Sequence, residues 1–185
     1  METREILELV KSGAMSVEEA EGHFRRQPFE DLGFAKLDMH RKMRSGFPEV
    51  IFCKGKPDEF LISIYTRMVE ADGQAFGTRA SKEQYEMVRK VIPDIKYDPV
   101  SGILKLEREP HKKEGLVAVV TGGTVDIPVV EEAAQTAEYF GAKVERIYDV
   151  GVSGIHRLLS QTQKLQEANC IVAVAGMEGA LASVV

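Results

Sequence analysis

The sequence predicts an α/β protein whose C-terminal part is an open parallel sheet covered by helices. Three short apolar runs alternate there with segments of helical periodicity, a pattern that favours parallel strands joined by right-handed crossovers. Each apolar run ends in a glycine-bearing turn, at 122–123, 151–154 and 176–179. Because parallel strands end at the same edge of a sheet, we expect the three turns to form one binding site.

In the N-terminal part, the sequence pattern predicts a smaller mixed α/β domain. Thr3 to Val10 has apolar residues at helical spacing, and Ser16-Val-Glu-Glu19 is a capping box that opens a second helix ending before Pro28. Residues 95–106 predict a hairpin, because Asp98-Pro and Ser101-Gly supply turn residues between two apolar runs. Apolar spacing and capping residues predict the remaining elements, which are strands near 50–53 and 74–78 and helices near 57–69 and 81–91.

The charged, proline-bearing segment 107–115 is predicted to be a linker, since it lacks apolar periodicity. The chain then divides into an N-terminal domain, 1–110, and a C-terminal domain, 115–185. The C-terminal domain has predicted strands at 116–120, 143–149 and 170–175 and predicted helices at about 128–140, 154–168 and from 177. Three strands are fewer than the five of the shortest common doubly wound sheets, so this domain is expected to be incomplete at its C-terminus.

Composition excludes several classes of function. A net charge of -5 and a pI near 5.5 argue against a nucleic-acid-binding protein. No apolar run approaches the ~18 residues of a membrane helix, and the N-terminus does not resemble a signal peptide, so a cytoplasmic protein is expected. Cys53, Cys170 and the histidines show no metal-ligand spacing, which predicts no metal site. Both cysteines lie in apolar runs and are expected to be buried packing residues.

The first turn contains the residues most typical of a phosphate site. Glycines let a backbone approach a phosphate closely, and the amides of the helix that follows point toward it. Asp126 either binds a ribose hydroxyl or caps that helix. The candidate binding residues of this turn are Thr121, Gly122, Gly123, Thr124 and Asp126.

The second and third turns add side chains that bind anions or move protons. Arg157 suits a phosphate or carboxylate and His156 can transfer a proton, although such a pair on a helix is often only solvated. Glu178 is favoured near a helix start for electrostatic reasons alone, but in a cleft it is a proton acceptor. The other candidates are Gly151, Ser153, Gly154, Gly176 and Met177.

A charged segment of the N-terminal domain is a weaker candidate. Asp38, His40, Arg41 and Arg44 precede Gly46-Phe-Pro-Glu-Val50, and most such clusters are solvated surface. Arg41 and Arg44 are three residues apart, so on a helix they would point the same way and could reach an anion.

From Val117 onward the chain resembles the PurE superfamily of aminoimidazole ribotide carboxylases and mutases, which have a flavodoxin-like, three-layer parallel-sheet fold. Gly122-Gly-Thr-Val-Asp126 looks like the Gly-Ser-x-Ser-Asp turn of that family, which binds phosphate and ribose. Ser153-Gly-Ile-His-Arg157 looks like its Ser-Ala-His-Arg segment. The third turn departs from the family, because Glu178 stands where the purine enzyme has an essential histidine.

The whole chain resembles the LarB family, which starts the synthesis of the nickel-pincer cofactor of lactate racemase. The matching segments are Leu32-Gly-Phe-Ala-Lys-Leu-Asp38, Arg44-x-Gly-Phe-Pro-Glu-Val50, Thr78-Arg-Ala80, Asp149-Val-Gly-Val-x-Gly-x-His-Arg157 and Ala175-Gly-Met-Glu-Gly-Ala-Leu-Ala-Ser-Val184. The resemblance implies carboxylation at C5 of the pyridinium ring of nicotinic acid adenine dinucleotide with CO2 or bicarbonate. It also implies hydrolysis of the phosphoanhydride, which releases AMP and pyridinium-3,5-biscarboxylic acid mononucleotide.

That chemistry requires a nucleophile, because an electron-poor pyridinium ring does not attack CO2. A thiolate that adds to the ring makes C5 nucleophilic, a base then removes the C5 proton, and the thiolate leaves. The resemblance implies that this cysteine lies beyond Val185, that Glu178, Asp126 and His156 are the catalytic candidates of this chain, and that the 185 residues alone are inactive.

The resemblance further implies a homo-oligomer, often an octamer, with no tightly bound cofactor and with Mg²⁺ as a possible aid to hydrolysis. Two alternatives remain open from the residues. One is a PurE-type aminoimidazole ribotide carboxylase or mutase, and the other is a non-catalytic nucleotide-binding module.

Overall fold

The computed structural model describes residues 3–24, 29–38, 40–107 and 112–185. By their contacts the residues form two compact units, Met1–Glu49 and Val50–Val185, which are described separately below. The predicted linker at 107–115 contains residues 108–111, which lie outside the described residues. The domain boundary there therefore stays a prediction.

The first unit consists of short elements. Its helices and strands are α1 (Thr3–Lys11), α2 (Val17–Phe24), β1 (Glu30–Asp31), β2 (Lys36–Leu37) and α3 (Arg41–Ser45), with β1 antiparallel to β2. The predicted capping box at the start of α2 is confirmed. The Ser16 N–H donates to the Glu19 carboxylate over 2.8 Å, and the Glu19 N–H donates to the Ser16 hydroxyl over 3.1 Å.

The charged segment of this unit is partly neutralised within itself. Arg44 donates two hydrogen bonds to Asp38, and this contact lowers the pKa of the Asp38 carboxyl. The Asp38 N–H in turn donates to Glu49 over 2.7 Å. Arg44, one of the two arginines whose spacing suggested an anion ligand, therefore donates to a neighbouring carboxylate.

The second unit begins with a four-stranded mixed sheet. Its elements are β3 (Ile51–Phe52), α4 (Asp58–Asp72), β4 (Ala75–Thr78), α5 (Lys82–Val91), β5 (Lys96–Asp98) and β6 (Ile103–Leu106). The strand order is β3-β4-β6-β5, with β3 parallel to β4 and the other pairs antiparallel. The predicted hairpin of β5 and β6 is confirmed, and so is the predicted start of α5, where Ser81 and Gln84 form a capping box.

The same unit continues into a three-stranded parallel sheet. Its elements are β7 (Leu116–Thr121), α6 (Ile127–Tyr139), β8 (Lys143–Ile147), α7 (Ile155–Leu159), α8 (Thr162–Glu167) and β9 (Cys170–Val174). The strand order is β8-β7-β9, and the central strand β7 is the most buried of the three. The predicted α/β fold with a parallel sheet is confirmed, and each strand is followed by a 3₁₀ turn, at Thr124–Asp126, Val152–Gly154 and Ala180–Ser183.

Two predicted helices differ from the structure. The helix expected over 154–168 is interrupted between Leu159 and Thr162, where the Thr162 hydroxyl donates to the Leu159 carbonyl over 2.7 Å. Such side-chain bonds compete with the helical ladder. The helix expected from 177 is absent, because Met177 and Gly179 have left-handed backbone, with φ of 55° and 69°, and an α-helix cannot continue through it.

Helix α6 packs against both sheets of the second unit. Its Val130 and Ala134 lie against Val119 of the parallel sheet. At its C-terminal end Tyr139 packs against Phe76 of the mixed sheet, with ring centroids 4.3 Å apart. The two sheets therefore share one helix and pack as parts of one body.

The two cysteines differ in environment. Cys53 is fully buried, as predicted. The same prediction for Cys170 is wrong, because this residue opens β9, an edge strand of the parallel sheet, and its side chain is exposed. Among the described residues no helix is long and apolar enough to cross a membrane.

Candidate functional site

The three glycine-bearing turns lie together at the carboxyl ends of β7, β8 and β9. They line one open cavity of about 420 Å³, a size typical of small-molecule sites. The sequence-predicted residues that line it are Gly122, Gly123, Asp126, Gly151, Ser153, Gly176, Met177 and Glu178. Residues more than 50 positions apart in the chain are thus brought to a single pocket.

Close backbone contacts hold the turns against one another. A Cβ atom at Gly151 would lie 2.4 Å from the carbonyl oxygen of Gly122, a distance that no side chain allows. A Cβ atom at Gly122 would lie 3.3 Å from the Cβ atom of Ala175 in the third turn. Gly122 and Gly151 therefore let the three turns touch.

Thr121 links the first two turns rather than lining the pocket. Its side chain is fully buried, and its hydroxyl accepts a hydrogen bond from the Asp149 N–H over 2.9 Å. Its carbonyl accepts the Val150 N–H, also over 2.9 Å. In the next residue the Gly122 N–H donates to the Val174 carbonyl. Amide donors for a ligand must therefore come from Gly123 onward, where the first helical N–H groups lack intrahelical partners.

The pocket has an acidic and apolar character. Among its lining residues the ionisable side chains are Asp126 and Glu178, and both are carboxylates. Val125 is 86% exposed and Met177 is fully exposed, and together with Val152 they form an apolar rim. Such a pocket favours a ligand with a flat apolar surface and positive charge where it faces the carboxylates.

Asp126 is not used as a helix cap. It occupies the N-cap position of α6, but its carboxylate makes no capping hydrogen bond in the described part of the chain. The alternative interpretation of Asp126 as a capping residue is therefore unsupported. Its carboxylate is left available to the pocket.

Other predicted residues lie beside the pocket rather than in its lining. Arg157 donates from Nη1 to the Asp149 carboxylate over 2.5 Å, and its guanidinium lies against Gly154. His156 is exposed on α7, and Thr124 is exposed in the first 3₁₀ turn. The cavity lining thus does not include Thr124, Gly154, His156 or Arg157. Their roles at the site stay predictions.

Sequence reasoning missed the apolar part of the pocket. Val125, Val152, Ala175, Ala180 and Leu181 line the cavity, although polar and glycine residues had defined the candidates. These residues lie within or next to the three turns, and that position was the signal that could have identified them. Asp149 was also missed, because the pattern did not reveal that it would pair with Arg157.

Neither cysteine contributes to the pocket. Burial raises the pKa of the Cys53 thiol, and Cys53 lies in contact with Tyr65, away from the three turns. Cys170 begins β9, so about 13 Å of strand separates it from the third turn. The pocket lining holds no nucleophilic thiol.

The acidic residues of the pocket suit at most a weakly held metal ion. In the described ranges no three His, Cys, Asp or Glu side chains gather as a metal site. Mg²⁺ commonly binds through one or two carboxylates together with substrate phosphates, and Asp126 and Glu178 offer two such groups. Bound there, it would neutralise phosphate charge.

Comparison with known proteins identifies the family. The LarB/PurE-like N-terminal domain family matches residues 29–108. An uncharacterized protein of Methanocaldococcus jannaschii is 37% identical over 194 residues, an alignment that covers 98% of this chain and 75% of that protein. The alignment with this relative extends beyond the N-terminal domain and includes the pocket residues. The parallel sheet is also consistent with the family, and the chain therefore belongs to the LarB/PurE-like family.

Proposed function

We propose that the chain carries the binding pocket of an enzyme that carboxylates C5 of the pyridinium ring of nicotinic acid adenine dinucleotide. The same enzyme hydrolyses the phosphoanhydride, releasing AMP and pyridinium-3,5-biscarboxylic acid mononucleotide. The family is one of carboxylase-type enzymes, and the proposal specifies the substrate and the reaction.

The charge of the pocket is the observation that carries the proposal. Its ionisable lining side chains are the carboxylates Asp126 and Glu178, and its rim is apolar. A cationic aromatic ring matches both properties, since opposite charge attracts the ring and the rim covers its faces. The phosphates of the ligand then meet the start of the 3₁₀ turn and α6, where helix N-termini favour anions.

Glu178 is proposed as the base and Asp126 as the group that binds a ribose hydroxyl or faces the ring. Both side chains line the cavity, and Glu178 is exposed in the third turn. After C5 attacks CO2, the C5 proton passes to Glu178, and the ring becomes aromatic again as the thiolate leaves. His156 is a less direct candidate because it does not line the pocket.

Neither Cys53 nor Cys170 is placed to supply the thiolate that adds to the ring. Cys53 is buried with a raised thiol pKa, and Cys170 lies at the far end of β9. We therefore expect the 185 residues by themselves to bind the dinucleotide without carboxylating it. A soluble thiol supplied in the assay would provide the missing nucleophile.

A PurE-type reaction is the less favoured function. The third turn presents Met177 and Glu178 and has no histidine, whereas the purine family relies on a histidine there. An aminoimidazole ring at neutral pH also carries no fixed positive charge that two carboxylates would attract. A non-catalytic nucleotide-binding module would bind the same ligands but would not exchange carbon with bicarbonate.

The charge of the ring provides the direct binding test. Oxidised and reduced nicotinamide adenine dinucleotide have nearly the same shape, but only the oxidised ring is cationic. Calorimetric titration is expected to give at least tenfold tighter binding of the oxidised form, equivalent to about 1.4 kcal/mol. The double substitution Asp126→Asn with Glu178→Gln is expected to remove this preference.

The reaction is tested by mass spectrometry. The protein is incubated with nicotinic acid adenine dinucleotide, ¹³C-bicarbonate and a small thiol, and the expected products are a ¹³C-labelled biscarboxylic mononucleotide and AMP. Equal binding of the oxidised and reduced dinucleotides would contradict the proposed substrate class. In a parallel incubation with aminoimidazole ribotide in place of the dinucleotide, entry of label into that substrate would favour the PurE-type reaction.

A further inference from the structure

An ion pair spans the second turn of the pocket. The carboxylate of Asp149, at the end of β8, accepts the 2.5 Å hydrogen bond from Arg157 on α7. The residues between them include Gly151, Val152 and Ser153, which line the cavity. The pair therefore joins the two ends of the loop that forms one wall of the pocket.

Asp149 is itself held in a defined position. Its backbone is left-handed, with φ of 54°, a conformation that aspartate tolerates better than most residues. Its N–H donates to the hydroxyl of Thr121, which is fully buried at the end of the central strand. The Asp149 backbone is thus attached to the end of the central strand.

The guanidinium of Arg157 is oriented by two contacts. One is the bond to Asp149, and the other is its position over Gly154, where a Cβ atom would lie 2.7 Å from Nε and 3.1 Å from Nη2. Gly154 adjoins Ser153 of the pocket wall. An arginine has five N–H donors, and within the described residues Asp149 takes one of them. The remaining donors are available to an anion without breaking the pair.

We propose that Asp149 is a positioning residue, which orients Arg157 to donate to a phosphate group of the bound nucleotide. The inference rests on the proposed function for the identity of that nucleotide. It gives a role to an acidic residue that lies next to the proposed phosphate site. It also gives Arg157 a binding role although its side chain lies outside the cavity lining.

The test compares ligands that differ only in the phosphate. Nicotinic acid mononucleotide and its riboside are titrated calorimetrically, and AMP and adenosine form a second pair. In Asp149→Ala the Kd of each phosphate-bearing ligand is expected to rise about tenfold, the loss of one charge-assisted hydrogen bond. The Kd of each dephosphorylated ligand is expected to stay the same.

Two further variants separate positioning from folding. Asp149→Asn keeps an oxygen acceptor and tolerates the left-handed backbone, so it should recover most of the phosphate affinity. Gly154→Ala places a methyl group where the guanidinium lies, so it should weaken phosphate binding although both charges remain. Lys164→Gln is the matched control, because Lys164 pairs with Glu145 over 2.6 Å and neither residue lines the pocket.

The outcomes distinguish the inference from the proposed function. An equal loss for phosphorylated and dephosphorylated ligands would mean that Asp149 only supports the fold. Tighter phosphate binding in Asp149→Ala would mean that Asp149 competes for Arg157, and unchanged binding would mean that phosphate binding does not depend on Asp149. Each of these results overturns the inference. An effect seen with AMP, together with no preference for a cationic ring, would refute only the proposed substrate.

Discussion

At the scale of single residues, the pocket depends on glycines that allow backbone segments to touch. Gly151 and Gly123 illustrate the difference between two glycines of the same site. Gly151 faces the Gly122 carbonyl at a distance that excludes a side chain, whereas a Cβ atom at Gly123 would meet nothing within 4 Å. Packing therefore requires a glycine at position 151 but not at position 123.

Gly151→Ala is therefore expected to separate the first two turns. The added methyl group would lie 2.4 Å from the Gly122 oxygen, and both partners are backbone or fixed to it, so relief requires movement of a turn. The free energy of unfolding is expected to fall by about 1–3 kcal/mol, as in other overpacked sites. Urea denaturation followed by circular dichroism measures this change.

Gly123→Ala is the matched control for stability. Gly123 has an extended backbone, with φ of -157°, and open space at its Cβ position. Its free energy of unfolding is expected to stay within about 0.5 kcal/mol of the unsubstituted protein. An equal loss in both variants would contradict the interpretation of Gly151 as a packing contact.

Glu178→Gln tests the proposed base at the same scale. The amide keeps the shape of the side chain but cannot accept the C5 proton, so incorporation of ¹³C in the thiol-supplemented assay should fall about 10²-fold or more. Dinucleotide binding should weaken less than tenfold, since Asp126 remains in the pocket. Unchanged incorporation would exclude Glu178 from the proton transfer.

At the scale of elements, β8 and α6 are joined by a polar network outside the pocket. Arg146 of β8 donates to Glu131 over 2.9 Å and to Glu138 over 2.7 Å, and the Tyr148 hydroxyl also donates to Glu131. The hydrogen bond from Arg146 lowers the pKa of Glu138. At Glu131 burial by itself would raise the pKa, but hydrogen bonds from Tyr148 and Arg146 outweigh it and the pKa is lowered.

This network predicts a loss of stability in acid. Because the two carboxyl pKa values are lower in the folded protein than the ordinary value of 4.5, their contribution is present above pH 4.5 and is lost as the pH falls through the folded values. Arg146→Gln should therefore reduce the unfolding free energy at pH 7, and the difference between the two proteins should shrink below pH 4.5. Urea denaturation across this range measures it, and a difference that is independent of pH would contradict the assignment.

At the scale of the whole molecule, helix α6 couples the two sheets of the unit Val50–Val185. Its Val130 and Ala134 lie on the parallel sheet, and its Tyr139 lies on Phe76 of the mixed sheet. The pocket at the start of α6 is therefore supported by a core that extends into the mixed sheet. A destabilising substitution at the C-terminal end of α6 should therefore lower the stability of the whole unit, including the pocket.

Phe76→Ala tests this coupling. Phe76 is fully buried between the mixed sheet and α6, so its truncation is expected to cost about 3–5 kcal/mol. Thermal unfolding monitored by tyrosine absorbance and by far-ultraviolet circular dichroism should shift together, as one cooperative transition. The control is Phe52→Ala, because Phe52 is 57% exposed and its loss should change stability by no more than about 0.5 kcal/mol. Two separate transitions would contradict a shared core.

The sequence predicted the elements more accurately than their ends. Hydrophobic period and capping chemistry are local, so the parallel strands, the capping boxes at Ser16 and Ser81 and the hairpin of β5 and β6 could be predicted. The break after Leu159 and the left-handed Met177 could not, because each depends on side-chain bonds or on a turn imposed by neighbouring strands. The exposure of Cys170 was missed for a similar reason, since burial depends on which strand lies at an edge.

The sequence by itself determined the fold class and the residues of the three turns, because alternation of apolar runs, helices and glycines is local information. Only the tertiary structure decided which of those residues share a pocket, that the pocket is acidic with an apolar rim, and that Arg157 is paired with Asp149. These properties arise from contacts between residues distant along the chain. Their geometry is set by the packing of β7 between its neighbours and not by any one segment.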